Sequence, residues 1–461
     1  MLLGETIVAV STPSGPGGIG IVRLSGSKSF SIIDRLAKTR NEPISLKKSH
    51  TTTLAKIIDP LTDELIDEVF ITIMRSPNSY TREDVVEINC HSGAVPIRKT
   101  LEAALNEGAR LAEPGEFTHR AFLSGRIDLT QAQAVMSLVR ARSEAAGRAA
   151  ARQADGHVGK KIELLRKELI TLAAELEAAV DFADEDIESI SPEQTSHTLK
   201  KTIKEIEELI GAVSRGKTLD RGILAAIIGR PNVGKSSLLN AVLMEDKAIT
   251  SSQPGTTRDI VEAQIQLEGI PVDLQDTAGW RDPQDDIEKL GLEKTKKAIA
   301  GSDLIILVLD GSEPLTQEDQ DLLDLPVKSQ HCVTVVNKND LPGKLLLDER
   351  LSASWTEHIV SVSATSGDGV DLLGKAIAEI FGFSQEAEGQ EAFLASVKQE
   401  NKLILAKRNL VEADEAHGQG FGEEVISTLT KEALANLGEV IGTEVNEEVI
   451  KEIFNRFCIG K

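Results

Sequence analysis

The segment Gly229-Arg-Pro-Asn-Val-Gly-Lys-Ser236 constrains this chain more than any other. It follows the apolar run 222–228 and precedes Ser237-Leu-Leu-Asn-Ala-Val-Leu243, which has helical character. A G-x-x-x-x-G-K-S stretch between a strand and a helix is a phosphate cradle. Gly229 and Gly234 let backbone N–H groups face the phosphates, and the helix N-terminus adds its positive dipole end. Lys235 is positioned to reach the outer phosphates and Ser236 to ligate Mg²⁺, with Asn232, Val233 and Ser237 completing the cradle.

Residues 217–383 alternate strand and helix patterns, with strands expected at 222–228, 260–267, 272–275, 304–309, 332–336 and 359–362. This predicts a doubly wound α/β domain whose ligand sits beyond the C-terminal strand ends. Three further motifs fall there. Asp276-Thr-Ala-Gly279 supplies an acid, Asp276, to hold Mg²⁺ through water. Thr277, Ala278 and Gly279 follow it, and the Gly279 N–H is suited to sensing a γ-phosphate. Asn337-Lys-Asn-Asp340 places Asp340 to accept the N1–H and N2–H₂ donors of guanine, a pair adenine lacks, so GTP is the expected nucleotide. Asn337 and Lys338 open that loop, and Ser363, Ala364 and Thr365 after the next strand reach the base oxygen.

The stretch Thr250–Asp259 lies between the first two motifs and reads as a switch loop. Thr257 is the expected second Mg²⁺ ligand, and Thr256 is able to turn its carbonyl inward. Ser251, Ser252, Gln253, Pro254 and Gly255 complete the loop. The residue after Gly279 is Trp280, whose indole cannot orient an attacking water as a glutamine would. No arginine finger is identified, although Arg230, Arg258 and Arg281 are close in sequence.

With 461 residues the chain has room for roughly three domains. Residues 1–120 read as mixed α/β. Strands are expected at 5–11, 21–25, 68–74 and 84–89, and a helix at 96–108. The stretch 12–20 is too rich in Gly and Pro for regular structure. Residues 121–216 turn helical. Ile162, Leu165, Leu169, Leu172 and Leu176 form one stripe, and Ile203, Ile206, Ile210 and Val213 form another. Ser191-Pro-Glu-Gln194 signals a helix start, and the acidic cluster 181–187 reads as a solvated loop. Residues 384–461 are helical again, so the simplest architecture inserts the α/β domain into an all-helical one.

A net charge of −22 argues against a broad nucleic-acid-binding face, and 3% aromatic content argues against recognition by stacked bases. Cys90, Cys332 and Cys458 lack metal-ligand spacing and suggest no disulfide framework, which fits a reduced, cytoplasmic compartment. No signal peptide or membrane span is expected. His91 reads as a satisfied structural histidine.

The whole chain resembles the MnmE (TrmE) family of tRNA-modification GTPases. The resemblance rests on Thr6-Ile-Val-Ala9, Gly17-Gly-Ile-Gly-Ile-Val-Arg23, Pro114-Gly-Glu-Phe-Thr118, Arg120-Ala-Phe-Leu123, the 181–187 cluster, the GTPase motifs and the terminal Phe457-Cys-Ile-Gly-Lys461. It implies an N-terminal α+β domain that dimerises and binds 5-formyltetrahydrofolate or a related tetrahydrofolate. By motif position, Arg23, Glu87, Arg126 and Lys461 fall near that folate. It implies a partner, the FAD-containing MnmG (GidA) family, and aminomethyl-type modification of the wobble uridine of tRNA. It implies GTPase domains that dimerise across K⁺, with Asn232, Ser251, Gln253 and Thr256 as ion ligands, and a water-orienting carboxylate at Glu288. Cys458 lies next to the proposed modification site, where a chemical role competes with simple packing. Two other readings share parts of this pattern. One is a ribosome-assembly GTPase of the Era/Der type. The other is a folate-dependent one-carbon transferase with a regulatory GTPase.

Overall fold

The computed structural model describes residues 4–13, 15–40, 42–181, 191–245, 263–276, 296–325, 331–346, 355, 357–383, 392–444, 450, 453–455, 457, 459 and 460. Two compact units emerge. One comprises 1–136, 154–200 and 405–461, and the other 137–153 and 201–404.

The first unit is built on a seven-stranded sheet. Its strands are β1 (Ile7–Val10), β2 (Gly17–Ser25), β3 (Ala37–Lys38), β4 (Thr51–Ile58), β5 (Leu65–Met74), β6 (Val85–Ser92) and β7 (Arg110–Leu111). Their order is β3-β4-β5-β6-β2-β1-β7. All neighbours run antiparallel except β1 and β7. Alternating residues explain the one-sided core. Val22 and Leu24 of β2, Val86 and Ile88 of β6, and Ile71 and Ile73 of β5 are buried beneath α1 (Ser29–Leu36) and α2 (Ala94–Asn106).

The Gly-rich stretch departs from expectation, because β2 begins at Gly17 rather than after Gly20. Gly17, Ile19 and Gly20 pair with Ser92, His91 and Cys90 across a bulge. A Cβ on Gly20 would come 2.3 Å from Ile97 Cδ1, so here glycine permits the sheet to meet α2 closely.

Helix α3 (Glu116–Leu123) carries a buried ion network. Glu116 accepts from Arg110 at 2.7 Å and from Arg120 at 2.9 Å, and Arg120 also reaches Glu83. Burial pushes the Glu116 carboxyl up, but Arg110, the Glu113 N–H and Arg120 outweigh this and hold it below the usual value. Its stabilising effect is therefore present above the ordinary carboxylate range and is lost as pH falls through the lowered value. Glu116→Gln is expected to cost about 3 kcal/mol at neutral pH and to flatten the acid limb of stability. Urea unfolding at pH 7 and pH 4 tests this, and equal losses at both pH values would contradict it.

Four helices follow in chain order: α4 (Leu129–Arg140), α5 (Glu144–Ala154), α6 (His157–Asp181) and α7 (Pro192–Arg221). The stripe Ile162, Leu165, Leu169, Leu172 and Leu176 is buried along α6 as its spacing predicts. In the first unit α6 lies against the helix Glu423–Ile441, where Lys431 pairs with Glu177. Ser191 and Gln194 cap α7 reciprocally at 3.2 Å. The buried face of α7 is rotated from expectation. Leu199, Thr202, Ile206, Leu209 and Val213 are buried, whereas Ile203 and Ile210 are half-buried. The acidic positions 182–187 lie outside the described residues. Near the C-terminus, Ile450, Phe454 and Phe457 join Ala132 and Met136 in a small core. Phe454 stacks on His119 of α3 at 4.8 Å.

The second unit holds a six-stranded sheet. Its strands are β8 (Ile223–Ile228), β9 (Ala263–Leu267), β10 (Ile270–Asp276), β11 (Leu304–Asp310), β12 (His331–Asn337) and β13 (Ile359–Ser361), ordered β13-β12-β11-β8-β10-β9. Only β9 runs antiparallel, as a hairpin with β10. All seven residues of β11 are buried, the signature of a central parallel strand. Leu304, Ile306 and Val308 face a core containing Leu238 of α8 (Lys235–Glu245) and Leu373 of the helix Val370–Ile380. Ile305, Leu307 and Leu309 face the opposite core with Ile299, Leu322 and Trp355. Both sheet faces are thus covered, and the ligand crevice is left at the strand ends. Among the described residues no helix is long and apolar enough to cross a membrane.

Candidate functional site: a nucleotide crevice and a junction of the chain ends

The phosphate loop leaves β8 and turns into α8. Gly229 has φ 154° and Gly234 φ 95°. Asn232, not a glycine, has φ 65°, a backbone conformation that a side chain disfavours. A Cβ on Gly229 would come 2.5 Å from the Val308 carbonyl oxygen, and one on Gly234 would come 2.3 Å from Asn337 Nδ2. Both glycines are therefore fixed by neighbouring strand ends. Lys235 Nζ donates to the carbonyls of Gly229 at 2.7 Å and Arg230 at 2.9 Å. Val233 is buried, whereas Ser236 and Ser237 are exposed at the start of α8. An exposed hydroxyl there suits a hard cation that needs oxygen ligands.

Asn337 ends β12 and links three loops. Its Nδ2 donates to the Val233 carbonyl at 2.8 Å, and its Oδ1 accepts the Ala364 N–H at 3.0 Å. Ser363 Oγ donates to Asp340 Oδ1 at 2.7 Å, which joins the guanine loop to the 363–365 loop. Lys338, like Asn232, has a positive φ, at 65°. The structure therefore brings Asn232–Ser237, Asn337–Asp340 and Ser363–Thr365 together at the C-terminal ends of the parallel strands. Asp276 ends β10 at the same edge, but its side chain is not among those described. Thr277, Ala278, Gly279, the loop Ser251–Thr257 and Glu288 also lie outside the described residues.

Asp310, the buried last residue of β11, was not among the residues singled out from the sequence. Burial pushes its carboxyl up, but Lys338 at 2.6 Å and two bonds from Ser312 outweigh this and hold it low. An acid at the end of the apolar run 304–309 was the only cue. Arg230, a neighbour considered for charge donation, is instead bonded to Glu313 at 2.6 Å and Asp319 at 3.1 Å.

A second polar cluster lies in the other unit. Arg23 of β2 and Glu87 of β6 are direct cross-strand partners, joined at 2.8 Å and each half-buried. The chain terminus reaches them. The Gly460 carbonyl accepts from Ser11 Oγ at 3.1 Å and from an Arg23 guanidinium N–H at 3.4 Å. Gly460 has φ 92°, and a Cβ there would come 2.2 Å from the Val10 carbonyl oxygen. Arg23 lies over Phe117 and Arg126 over Tyr80, two aromatics of one small apolar cluster. Cys458 and Lys461 lie outside the described residues. Burial pushes the Cys90 and Cys332 thiols up to about 11, which keeps both unreactive near neutral pH. His91 is exposed, and its Nδ1 is satisfied by Asp67 at 2.7 Å. Among the described residues no group of three or more His, Cys, Asp or Glu side chains is arranged to hold a metal.

Comparison with known proteins covers both units. The MnmE helical domain family matches residues 129–458, and the GTP-binding protein TrmE N-terminus family matches residues 6–126. A "tRNA modification GTPase MnmE" of Thermoanaerobacter pseudethanolicus is 43% identical over 460 residues, 99% of each chain. One from Enterococcus faecalis is 41% identical, covering 99% of this chain and 98% of that one. A solved structure of Era with MgGDPNP and part of 16S ribosomal RNA is 26% identical. It covers 41% of this chain and 66% of that chain at a TM-score of 0.28.

Proposed function

The chain belongs to the MnmE family of tRNA modification GTPases, and from that premise we propose that it is the GTP-hydrolysing subunit of a complex that modifies C5 of the wobble uridine, U34. The family makes it a GTP-hydrolysing enzyme of tRNA modification. The group added is of the (carboxymethyl)aminomethyl type, and its one-carbon unit comes from a tetrahydrofolate.

The observation that most supports this reading is the junction of Arg23, Glu87 and Gly460. A guanidinium and a carboxylate side by side offer donors and acceptors to a pterin ring, and the Gly460 carbonyl arrives beside them. Arg23, Glu87, Arg126 and Lys461 are assigned to the folate. Cys458 is assigned a place near the reacting group. A homodimer through the N-terminal domain and a flavoprotein partner of the MnmG family complete the assembly, which acts on tRNA.

The domain limits follow the same reading: 1–120 for folate and dimerisation, 121–216 and 384–461 for the helical domain, and 217–383 for the GTPase. In the GTPase, Ser236 and Thr257 are the Mg²⁺ ligands, and the ion would stabilise charge on the phosphates. Asn232, Ser251, Gln253 and Thr256 are the K⁺ ligands. Asn232 is exposed at the rim of the loop, which suits an ion shared with a second GTPase domain. Lys235 binds the outer phosphates, Asp340 reads guanine, and Glu288 orients water in place of the absent glutamine.

Nucleoside analysis of tRNA from cells lacking this protein tests the proposal. Wobble uridines without the C5 substituent are the expected result, and full modification would overturn it. GTP hydrolysis is expected to run at least about tenfold faster in K⁺ than in Na⁺ at equal ionic strength. Equal rates in the two salts would remove the shared ion from the mechanism.

A further inference from the structure

We propose that Arg230 and Asp310 form a charge relay that holds the phosphate loop and the guanine loop in register, and so sets nucleotide affinity without touching the nucleotide. The proposal rests on the nucleotide-site reading above and extends it to two positioning residues.

Arg230 occupies the second position of the phosphate loop. Its carbonyl accepts Lys235 Nζ at 2.9 Å, so its backbone directly supports the phosphate-binding lysine. Its side chain is only 14% exposed and points the other way. Nε donates to Asp319 at 3.1 Å, within the capping box of the helix Gln317–Leu323, and a terminal N–H donates to Glu313 at 2.6 Å. Arg230 also lies 4.0 Å from Asp310.

Both carboxylate oxygens of Asp310 are engaged. Oδ2 accepts Lys338 Nζ at 2.6 Å, while Oδ1 accepts the Ser312 N–H at 2.9 Å and the Ser312 hydroxyl at 2.6 Å. Lys338 sits two residues before Asp340, in a backbone conformation at φ 65° that needs outside support. Charges therefore alternate from Glu313 and Asp319 through Arg230 and Asp310 to Lys338. The phosphate loop and the guanine loop share one buried carboxylate.

This arrangement commits the Arg230 guanidinium to Glu313 and Asp319, with Asp310 4.0 Å away, which disfavours it as a donor of positive charge to the γ-phosphate. It also predicts which kinetic constant responds. The guanine loop contacts the base, which GTP and GDP share and which the reaction leaves unchanged, so loosening that loop through Asp310 weakens ground state and transition state alike.

The test uses the full chain carrying Asp310→Asn, which keeps the side-chain volume and removes the charge. Affinities for fluorescent GDP and GTP are expected to fall together by about tenfold. KM for GTP should rise by the same factor, with kcat changing less than about twofold. Lys338→Met should weaken binding similarly, and the double variant should be no weaker than the worse single one, because the two residues act as one unit. Glu313→Gln, at the exposed end of the relay, should give a smaller shift in the same direction. It serves as the test should Asp310→Asn fail to fold.

Unchanged affinity in Glu313→Gln and Asp310→Asn, additive losses in the double variant, or a fall in kcat at constant affinity would each overturn the relay. Asp340→Asn serves as the control for the underlying site. Retained guanine preference there would overturn the nucleotide-site reading itself. A switch toward xanthosine diphosphate, with Asp310→Asn unaffected, would overturn the relay alone.

Discussion

Gly234→Ala is expected to abolish tight guanine-nucleotide binding. Gly234 has φ 95°, where an alanine is strained by about 1–3 kcal/mol. The added methyl would also lie 2.3 Å from Asn337 Nδ2. Asn337 has little freedom to retreat, because its amide is bonded to Val233 on one side and Ala364 on the other. Each buried bond lost costs about 1–3 kcal/mol. With one of these bonds lost, the combined penalty of about 2–6 kcal/mol corresponds to about 10–10⁴ in affinity. Titration with a fluorescent GDP measures it, and affinity within threefold of the parent would show that the loop yields elsewhere.

Gly460→Val carries the second large effect, in the other unit. Gly460 has φ 92°, and its Cβ would lie 2.2 Å from the Val10 carbonyl oxygen, so the residue must leave β1. It takes with it the carbonyl that accepts from Ser11 and Arg23. On the folate assignment proposed above, binding of 5-formyltetrahydrofolate is expected to weaken by at least about tenfold, because two hydrogen bonds that hold Arg23 and Gly460 in place are lost. Calorimetry with that folate is the measurement, and unchanged binding would detach the terminus from the site. GTP hydrolysis assayed on the same sample reports whether the nucleotide unit is intact.

Local pattern revealed some of these features and hid others. The loops at Gly229–Ser236, Asn337–Asp340 and Ser363–Thr365 were legible because each motif carries its own chemistry and follows an apolar strand. The stripe on α6 was legible because its spacing is purely helical. The face of α7 was read one position askew. Its buried row includes Thr202, a polar residue that a search for apolar spacing passes over. The strand at Gly17–Gly20 was missed because glycine is a weak strand former. Its strand geometry comes from pairing with Ser92, His91 and Cys90 of β6, far along the chain. The ion pairs of Arg230 join residues 83 and 89 positions apart, a distance over which charge alone gives no cue in a chain with so many acids. Arg23 and Glu87 were linked through resemblance, and the β2–β6 register supplies the physical reason they meet.

The Asn337 amide works as a keyed connector. Its nitrogen end faces a carbonyl and its oxygen end faces an N–H, so only one orientation satisfies both neighbours. Aspartate has the same shape but would set a negative oxygen against the Val233 carbonyl. Leucine has a similar volume but would strand a donor and an acceptor in the interior. Glutamine is one methylene too long for a site this tightly enclosed. The position therefore tolerates no near-miss in either polarity or size. A single error there would disconnect phosphate recognition from base recognition while leaving both loops chemically intact.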